Sequence, residues 1–388
     1  MNIGIDIRTL AGSVKTGVGE YTVELILNIL QQDKKNNYYL FYNSFKDDVD
    51  VSPFLKAENV YCIKTSWPNK LLSGSLFLFK RPYLNKVISK NLKKEVEIDL
   101  FYSPNMHFTA LSPGTPHIIT IHDLSFVFFK DFFSMKRRIW HRCVRVKKQC
   151  QKANLILTPS ENTKNDIVKF FGIDENKVKV IKPGLSTLFL KQDTFSAQKI
   201  KIKYGLPEKF IFFLGTIEPR KNMDGIIDAF LFWQRKNSYA QEYQLIIAGA
   251  EGWKCTKILE RIRENQKIKY VGYINPEEKR VFYELASVFI YPSFYEGFGF
   301  PVLEAMSVGT PVITSSRSSL PEVVGNSAFM VNPHNIAEMA KGLQLLTSDY
   351  YLRNELIERG YKRSYEFSWD TAAKQWCQAI NEVLCELE

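Results

Sequence analysis

Short apolar runs alternate with longer amphipathic segments from one end of the chain to the other. In the first half, runs of strand length stand at 3–7, 99–102, 117–122, 154–158 and 178–181. A segment at 20–31 has the apolar spacing of a helix, and Ser160 is placed to cap a helix that ends near Phe171. A long basic helix is predicted from about Ser134. This alternation predicts parallel strands with helices on both faces of a sheet.

The alternation restarts in the second half, after a polar and irregular stretch at 186–207. Further runs of strand length stand at 210–214, 244–248, 268–271, 288–291, 311–314 and 329–331. A chain of 388 residues exceeds what one hydrophobic core usually supports. We therefore predict two doubly wound α/β domains, over 1–185 and 208–366, joined by a linker over 186–207. Ligands of such sheets bind beyond the carboxyl ends of the strands, so a cleft between the domains is the expected site.

The net charge of +11 is confined to the first half of the chain. Residues 1–185 carry 28 Lys and Arg against 17 Asp and Glu, whereas residues 186–388 carry 24 against 24. Two stretches, 64–94 and 136–152, each hold eight basic residues and no acidic one. Such a run is either a solvated face or a surface for an anionic partner, here the inner leaflet of a membrane or a diphosphate-lipid acceptor. Nucleic acid is disfavoured, because the chain has no recognised nucleic-acid-binding motif.

The cysteine pattern and the first residues favour a cytoplasmic location, and the two basic stretches suggest peripheral contact with the inner face of the cell membrane. Six cysteines form no CxxC pair and have no His at zinc spacing, so reduced thiols and no metal site are expected. Residues 1–6 begin as a strand and lack the basic and apolar regions of a signal peptide. The most lipid-like stretch, 71–79, is far shorter than the ~20 apolar residues that a spanning helix needs.

The loop after 210–214 brings two adjacent cations to the start of a predicted helix. It reads Gly-Thr-Ile-Glu-Pro-Arg-Lys-Asn from Gly215 to Asn222. Arg220 and Lys221 beside the positive end of a helix dipole suit the oxygens of a diphosphate. They would stabilise the charge that grows on a departing diphosphate in the transition state. The alternative is a solvated basic turn.

The loop after 288–291 contains two acids around a glycine-rich turn. Pro301 suits the first position of a helix, which would place Glu304 in the first turn and Glu296 in the loop. Their carboxylates can accept hydrogen bonds from sugar and ribose hydroxyls, although Glu304 alone could simply favour the helix dipole. The loop backbone can approach a donor at three positions, which are Gly297, Phe298 and Gly299.

Two weaker signals follow strands of the first half. Gly12, Gly17 and Gly19 precede the helix predicted at 20–31, as either a structural turn or a phosphate loop. His122 ends an apolar strand and is followed by an acid. A histidine there could orient hydroxyls of the transferred sugar or take part in a proton path, although a lone histidine is more often structural.

These motifs resemble those of the family 4 retaining glycosyltransferases. Glu296 and Glu304, with seven residues between them, are similar to the paired-glutamate signature of that family. The loop from Gly215 to Asn222 resembles its diphosphate-binding turn. Several further segments are also typical of it, namely the first glycine loop, His122-Asp123, Pro311 to Thr314, Leu320 to Gly325 and Phe367 to Trp369.

The resemblance implies two Rossmann-like domains of the GT-B fold facing each other across a cleft, the first binding acceptor and the second binding nucleotide sugar. It also implies a final helix, 367–388, that crosses back to the first domain. Implied roles are diphosphate binding by Arg220 and Lys221, sugar contact by Glu296 and ribose contact by Glu304. His122 would lie beside the reacting sugar, and Gly17 and Gly19 against the phosphates. No cofactor or metal is implied.

The donor suggested by this resemblance is GDP-mannose. The string from Gly215 to Asn222 resembles bacterial enzymes that add mannose in O-antigen and exopolysaccharide assembly, with a glycan or polyprenyl-diphosphate-linked acceptor. Other donors, such as UDP- or dTDP-hexoses, stay open. So do a nucleotide-sugar epimerase or phosphorylase of the same fold, and a catalytically silent scaffold subunit of a polysaccharide assembly complex.

Overall fold

The apolar runs form two separate, wholly parallel sheets in a computed structural model that describes residues 1–11, 17–45, 49–92, 96–190 and 196–385. The first sheet has the strand order β3-β2-β1-β4-β5-β6-β7. Its strands are β1 (Asn2–Asp6), β2 (Asn37–Asn43), β3 (Val60–Thr65), β4 (Leu100–Ser103), β5 (His117–Thr120), β6 (Leu155–Thr158) and β7 (Val178–Val180).

The second sheet has six strands in the order β10-β9-β8-β11-β12-β13. They are β8 (Phe210–Leu214), β9 (Gln244–Ala248), β10 (Ile268–Tyr270), β11 (Val288–Tyr291), β12 (Val312–Ser315) and β13 (Phe329–Val331). All five residues of β8 are buried, because helices cover both faces of a parallel sheet. The doubly wound fold predicted from the alternating pattern is confirmed in both halves.

The chain divides into two units, each with its own sheet. The first unit comprises Met1–Leu124, Lys136–Gly184 and Ser368–Glu388. Its helices are α1 (Gly17–Gln32), α2 (Asn69–Leu78), α3 (Leu84–Lys90), α5 (Met135–Val144), α6 (Val146–Lys152), α7 (Glu161–Asp166) and α17 (Trp369–Cys385). The Ser160 side chain caps α7 by accepting from Thr163 N at 3.2 Å, as predicted, and a π-helical turn (Ile167–Phe171) extends that helix.

The second unit comprises Ser125–Met135 and Leu185–Phe367. Its helices are α4 (Ser125–Phe128), α8 (Thr187–Leu190), α9 (Ala197–Tyr204), α10 (Met223–Lys236), α11 (Thr256–Arg263), α12 (Lys279–Leu285), α13 (Phe300–Ser307), α14 (Leu320–Val324), α15 (Ile336–Ser348) and α16 (Tyr350–Ser364). The aromatic segment 125–135 packs on this unit through the stacked rings of Phe133 and Trp253, 5.5 Å apart. Its prediction as part of a domain over 1–185 is therefore wrong.

The predicted linker over 186–207 is also wrong where it is described. Helices α8 and α9 occupy much of it, and Phe189 and Ile200 are buried in the core of the second unit. The sequence of this stretch shows no clear helical pattern, because Ile200 is the one residue that α9 buries in that core and its other positions are mainly polar or exposed. Residues 191–195 lie outside the described residues.

The single basic helix predicted from about Ser134 is two helices. Helix α5 ends at Val144, and α6 begins at Val146. Arg145 between them has the left-handed backbone conformation, with a φ of 53°. An α-helix does not continue through such a residue, so the basic stretch turns a corner at this position.

The final helix belongs to the first unit, as the resemblance implies. Trp376 of α17 is 1% exposed, and its ring lies 5.2 Å from that of Tyr102 in β4 and 6.4 Å from that of Tyr38 in β2. Gln32 at the end of α1 donates to the Asp370 carboxylate at 2.8 Å. The last helix therefore completes the core of the sheet with which the chain begins.

We expect Trp376→Ala to destabilise the first unit by about 3–5 kcal/mol, the usual cost of removing a buried tryptophan. Urea unfolding followed by circular dichroism measures this loss. Gln375→Ala changes an exposed residue of the same helix and should lie within about 0.5 kcal/mol of the parent chain. Equal stability of the two variants would contradict a core role for α17.

Candidate functional site

The best-formed polar cluster lies where the strand order of the second sheet reverses. Strands β8 and β11 are hydrogen-bonded neighbours there, although β9 and β10 separate them in the chain. Loops that leave the carboxyl ends of two such strands diverge and leave a crevice between them. The predicted donor loops, 215–222 and 292–299, are the loops that follow these two strands.

Glu296 joins the two loops by pairing with both predicted cations. Its Oε2 accepts from Arg220 Nη1 at 2.9 Å, and its Oε1 accepts from Lys221 Nζ at 2.5 Å. All three residues are largely buried, with exposed side-chain fractions of 16%, 9% and 8% for Arg220, Lys221 and Glu296. The structure thus brings together three residues that the sequence predicted separately.

Two members of this cluster escaped prediction. Glu218 accepts from Arg220 Nε at 3.0 Å, and the Tyr291 hydroxyl accepts from Lys221 Nζ. Glu218 stands two residues before Arg220, and Tyr291 is the last residue of β11. Their positions at or just after the ends of predicted strands could have identified them from the sequence. The Glu218 carboxylate is buried, and its Oε2 has no hydrogen-bond partner among the described residues.

The pKa values of the cluster follow from burial and from the close charges. Burial alone would raise the pKa of the Glu296 carboxyl, but the attraction of Arg220 and Lys221 outweighs burial and lowers that pKa to about 2. Burial lowers the pKa of the Lys221 ammonium, and the attraction of Glu296 partly offsets this. Burial and the nearby Glu296 charge raise the pKa of Tyr291 well above its usual value. Glu296 is thus an ionised hydrogen-bond acceptor and Tyr291 a neutral hydroxyl at neutral pH.

The backbone around the cluster is held by side-chain amides and hydroxyls. Asn222, with a left-handed φ of 59°, donates through Nδ2 to the carbonyls of Pro292 at 3.2 Å and Pro333 at 2.6 Å. The Ser318 hydroxyl accepts from Glu296 N at 2.9 Å. Asn222 tolerates the left-handed region better than most residues, which suits it to this junction.

Gly299 also has a positive φ, of 115°, immediately before α13. A Cβ at this position would lie 2.6 Å from Leu320 Cδ2. Glycine is therefore required both for the conformation and for the close packing of the loop. This agrees with the predicted turn at 297–299, while the predicted contacts of its backbone with a donor stay predictions.

Glu304 has different partners from Glu296. Its Oε2 accepts from the Tyr283 hydroxyl at 2.8 Å, and Lys279 Nζ lies 3.7 Å from its Oε1. Helix α13 begins at Phe300, so Pro301 is its second residue and Glu304 its fifth. The prediction of Pro301 at the first position and Glu304 in the first turn is thus off by one residue, because Gly299 caps the helix and Phe300 is already its first residue.

Two family models match the chain in succession. One, described as "Glycosyltransferase Family 4", covers residues 16–187, and the other, "Glycosyl transferases group 1", covers residues 196–363. Together the two models identify the chain as a glycosyltransferase. The O-antigen chain mannosyltransferase B of Escherichia coli is 29% identical over 94% of this chain and 95% of its own length.

Further similarities extend over part or all of this glycosyltransferase. The serotype-specific mannosyltransferase WbdA of E. coli is 29% identical over 60% of this chain, which corresponds to 29% of that longer protein. Among solved structures, a sucrose-phosphate synthase from Thermosynechococcus elongatus has a TM-score of 0.75 at 19% identity, with 99% of each chain covered. That last similarity concerns the fold alone.

His122 of this glycosyltransferase lies in the first unit, two residues beyond β5. Its Nε2 donates to the Pro104 carbonyl at 2.8 Å, and its ring meets that of Tyr21 edge to face at 4.7 Å. Burial lowers the pKa of His122, and the bond to Pro104 partly offsets this. The ring is therefore fixed as the neutral Nε2–H tautomer, which leaves Nδ1 as an acceptor.

The other predicted residues of the first unit lie at the start of α1. Gly17 is the first residue of that helix and Gly19 is buried in its first turn, whereas Gly12 lies outside the described residues. Sequence reasoning missed the neighbouring pair of Asp6 and Arg8 at the end of β1. Arg8 holds the buried Asp6 carboxylate through Nε at 2.9 Å and through Nη2 at 2.6 Å.

Neither a metal cluster nor a spanning helix occurs in the described part of the chain. No group of three His, Cys, Asp or Glu residues there is arranged to hold a metal ion. The search of the same residues found no helix with both the length and the apolar character needed to cross a bilayer.

We expect the Glu296 carboxylate to stabilise the second unit above about pH 4.5, and that contribution to disappear as the pH falls towards about 2. The sign follows because its pKa is lower in the folded chain than in the unfolded chain, and the shift corresponds to about 3 kcal/mol at neutral pH. The difference in Tm between the parent chain and Glu296→Gln should therefore narrow between pH 4.5 and 2.

The matched control is Glu264→Gln, which changes an exposed glutamate of the same unit. Its Tm should follow that of the parent chain over the whole pH range. A gap between the parent chain and Glu296→Gln that stays constant down to pH 2 would contradict a stabilising charge on Glu296.

Proposed function

We propose that this glycosyltransferase transfers mannose from GDP-mannose to a glycan or lipid-linked acceptor in O-antigen or exopolysaccharide assembly. We propose that it retains the anomeric configuration and uses no metal or other cofactor. The observation that carries the proposal is the Arg220–Glu296–Lys221 cluster at the strand-order reversal of the second sheet.

The donor diphosphate would bind to two cations that the fold already holds in place. Arg220 and Lys221 are fixed cations at the end of β8, and their burial strengthens their field compared with that of solvated side chains. A departing nucleoside diphosphate gains negative charge, so cations that are already oriented stabilise the transition state without reorganising. Glu218 and Glu296 hold Arg220 in place, which makes Glu218 a positioning residue.

The hydroxyls of the sugar and the ribose would donate to two glutamate carboxylates. Glu296 stays ionised at neutral pH, so its carboxylate only accepts hydrogen bonds, as recognition of sugar hydroxyls requires. The backbone of Gly297, Phe298 and Gly299 follows directly and is proposed to face the donor. Ribose contact by Glu304 rests on the family resemblance, and this role requires a hydroxyl to join Tyr283 on its carboxylate.

His122 would contact the transferred sugar, which we propose is mannose. With Nε2 bonded to Pro104, His122 would accept a sugar hydroxyl through Nδ1 and would act as a neutral group, not as an acid. Mannose is favoured by the string from Gly215 to Asn222 and by the activity of two relatives, both mannosyltransferases. Gly17 and Gly19 keep their proposed place beside the phosphates.

We expect GDP and GDP-mannose to raise the Tm by about 5 °C at roughly 100-fold excess over Kd, whereas UDP, ADP and dTDP should not. Arg220→Gln should abolish this shift, and Arg235→Gln, a change of an exposed arginine in the same unit, should retain it. Transfer of radiolabelled mannose to lipid-linked glycans should then fall at least 100-fold in Glu296→Gln.

The outcomes of this screen separate the alternatives. A shift with UDP or dTDP alone would replace the donor and leave the transferase assignment in place. Binding without transfer or donor hydrolysis would favour a silent scaffold, and isomerisation of the nucleotide sugar without acceptor would favour an epimerase. Normal transfer by folded Glu296→Gln would contradict the role of Glu296.

We also propose that the first unit contacts an anionic membrane surface peripherally. Leu71 and Leu78 of α2 and the following Phe79 are exposed by 69%, 67% and 73%. Lys70 lies in the first turn of this helix, and Lys80 and Arg81 follow its end. Exposed apolar groups among cations suit an interface in which the apolar groups enter the headgroup region and the cations meet lipid phosphates.

We expect Leu71→Ser/Phe79→Ser to lose binding to phosphatidylglycerol vesicles in a low-salt flotation assay. The control, Leu55→Ser/Phe45→Ser, removes the same two residue types from exposed positions elsewhere on the first unit and should bind like the parent chain. Binding of the parent chain to neutral and anionic vesicles alike, or to neither, would contradict the proposal.

A further inference from the structure

A cavity of about 270 Å³ opens within the first unit, beside the end of the helix proposed above for membrane contact. Helix α2, the loop after β4, the end of α5 and one side of α6 surround it. The residues that line it are Leu76, Phe77, Lys80, Phe108, Thr109, Cys143, Val144, Arg145, Lys148, Gln149 and Lys152. None of them belongs to the donor site proposed above.

The inner wall of this cavity is apolar. Leu76 and Val144 are 4% exposed, and the rings of Phe77 and Phe108 meet edge to face at 6.0 Å. Gln149 fixes one side, because its Nε2 donates to the carbonyls of His107 at 2.9 Å and Val144 at 2.8 Å. The wall is thus suited to hydrocarbon and is held by the fold itself.

The rim is cationic. Lys80, Arg145, Lys148 and Lys152 line the cavity with no acidic residue among its lining residues. None of these four side chains pairs with a carboxylate in the described part of the chain, and all four are exposed. Lys80 comes from the basic stretch 64–94 and the other three come from 136–152. The two acid-free stretches of the sequence therefore converge on one cavity.

The backbone at this rim takes an uncommon conformation. Lys80 and Arg145 have φ values of 51° and 53°. Only a few per cent of non-glycine residues have a positive φ, and such residues cluster at functional sites. Arg145 lies with its guanidinium 5.4 Å from the centre of the Phe77 ring, so the break between α5 and α6 places a cation over the apolar wall.

We propose that this cavity binds an amphiphilic phosphate, namely a phosphate or diphosphate ester carried on a hydrocarbon chain. The anionic group would lie among the four rim cations, and the first carbons of the chain would lie against Phe77 and Phe108. Such an ester is the anchor of a lipid-linked acceptor, so this inference rests on the acceptor class in the proposed function and adds a binding site for it.

Size and charge both support this occupant. Pockets for whole drug-sized ligands start at about 300 Å³, so this cavity holds a headgroup and the beginning of a chain. Four cations without a counter-charge suit a diphosphate better than a neutral glycan, which has no charge to pair with them. An apolar wall distinguishes the ester from a free phosphate.

Isothermal titration calorimetry with farnesyl diphosphate below its micelle concentration tests the proposal. We expect it to bind at least tenfold more tightly than either inorganic diphosphate or farnesol. Lys148→Gln/Lys152→Gln should weaken this binding at least tenfold. Lys35→Gln/Lys56→Gln removes the same charge from exposed lysines elsewhere on the first unit and should leave the affinity unchanged.

The variants also separate this inference from the proposed function. A diphosphate bound by Arg220 and Lys221 would be insensitive to changes at Lys148 and Lys152, and the GDP-dependent Tm shift should persist in Lys148→Gln/Lys152→Gln. Unchanged farnesyl diphosphate affinity in that variant would overturn the inference and leave the donor assignment standing. Equal affinity for farnesol, equal affinity for inorganic diphosphate, or binding to phosphatidylglycerol vesicles alone would also overturn it.

Discussion

The second unit depends on one buried carboxylate shared by two cations. Glu296 accepts from Arg220 and Lys221, and Glu218 pairs with Arg220 on its other side. The two positive and two negative charges cancel, which lowers the cost of burying these four side chains. Removing one member would leave an uncompensated buried charge, which typically costs 3–5 kcal/mol. The same groups that would handle the donor are thus groups that the fold needs.

This dual role explains the supporting polar contacts around the cluster. Asn222 ties the loop after β8 to the loops after β11 and β13, and Ser318 fixes the backbone of Glu296. A cation on a flexible loop would not stay at a fixed distance from a reacting atom. Here the neighbouring loops hold each charge from several directions, which is the arrangement expected of a preorganised site.

Much of this architecture was predictable from local pattern, and the parts that were not have a common cause. Arg220, Lys221 and Glu296 could be found because each follows an apolar run that ends in a polar loop. Their mutual pairing could not, because it depends on β8 and β11 becoming neighbours, and local periodicity does not specify strand order. Glu218 and Tyr291 were missed for the same reason. Helix α9 escaped because its apolar contact is made mainly by Ile200.

The cluster also has a consequence for how the chain folds. Arg220 and Glu296 are 76 positions apart, and β9 and β10 lie between them in the sequence. The cluster can close only after β11 has docked beside β8, which makes it a non-local contact of the kind that slows folding. Until then the cations of one loop lack their counter-charge. Donor affinity at the proposed site would therefore report the pairing of β8 with β11, and a nascent or truncated chain that ends before Glu296 would lack that affinity.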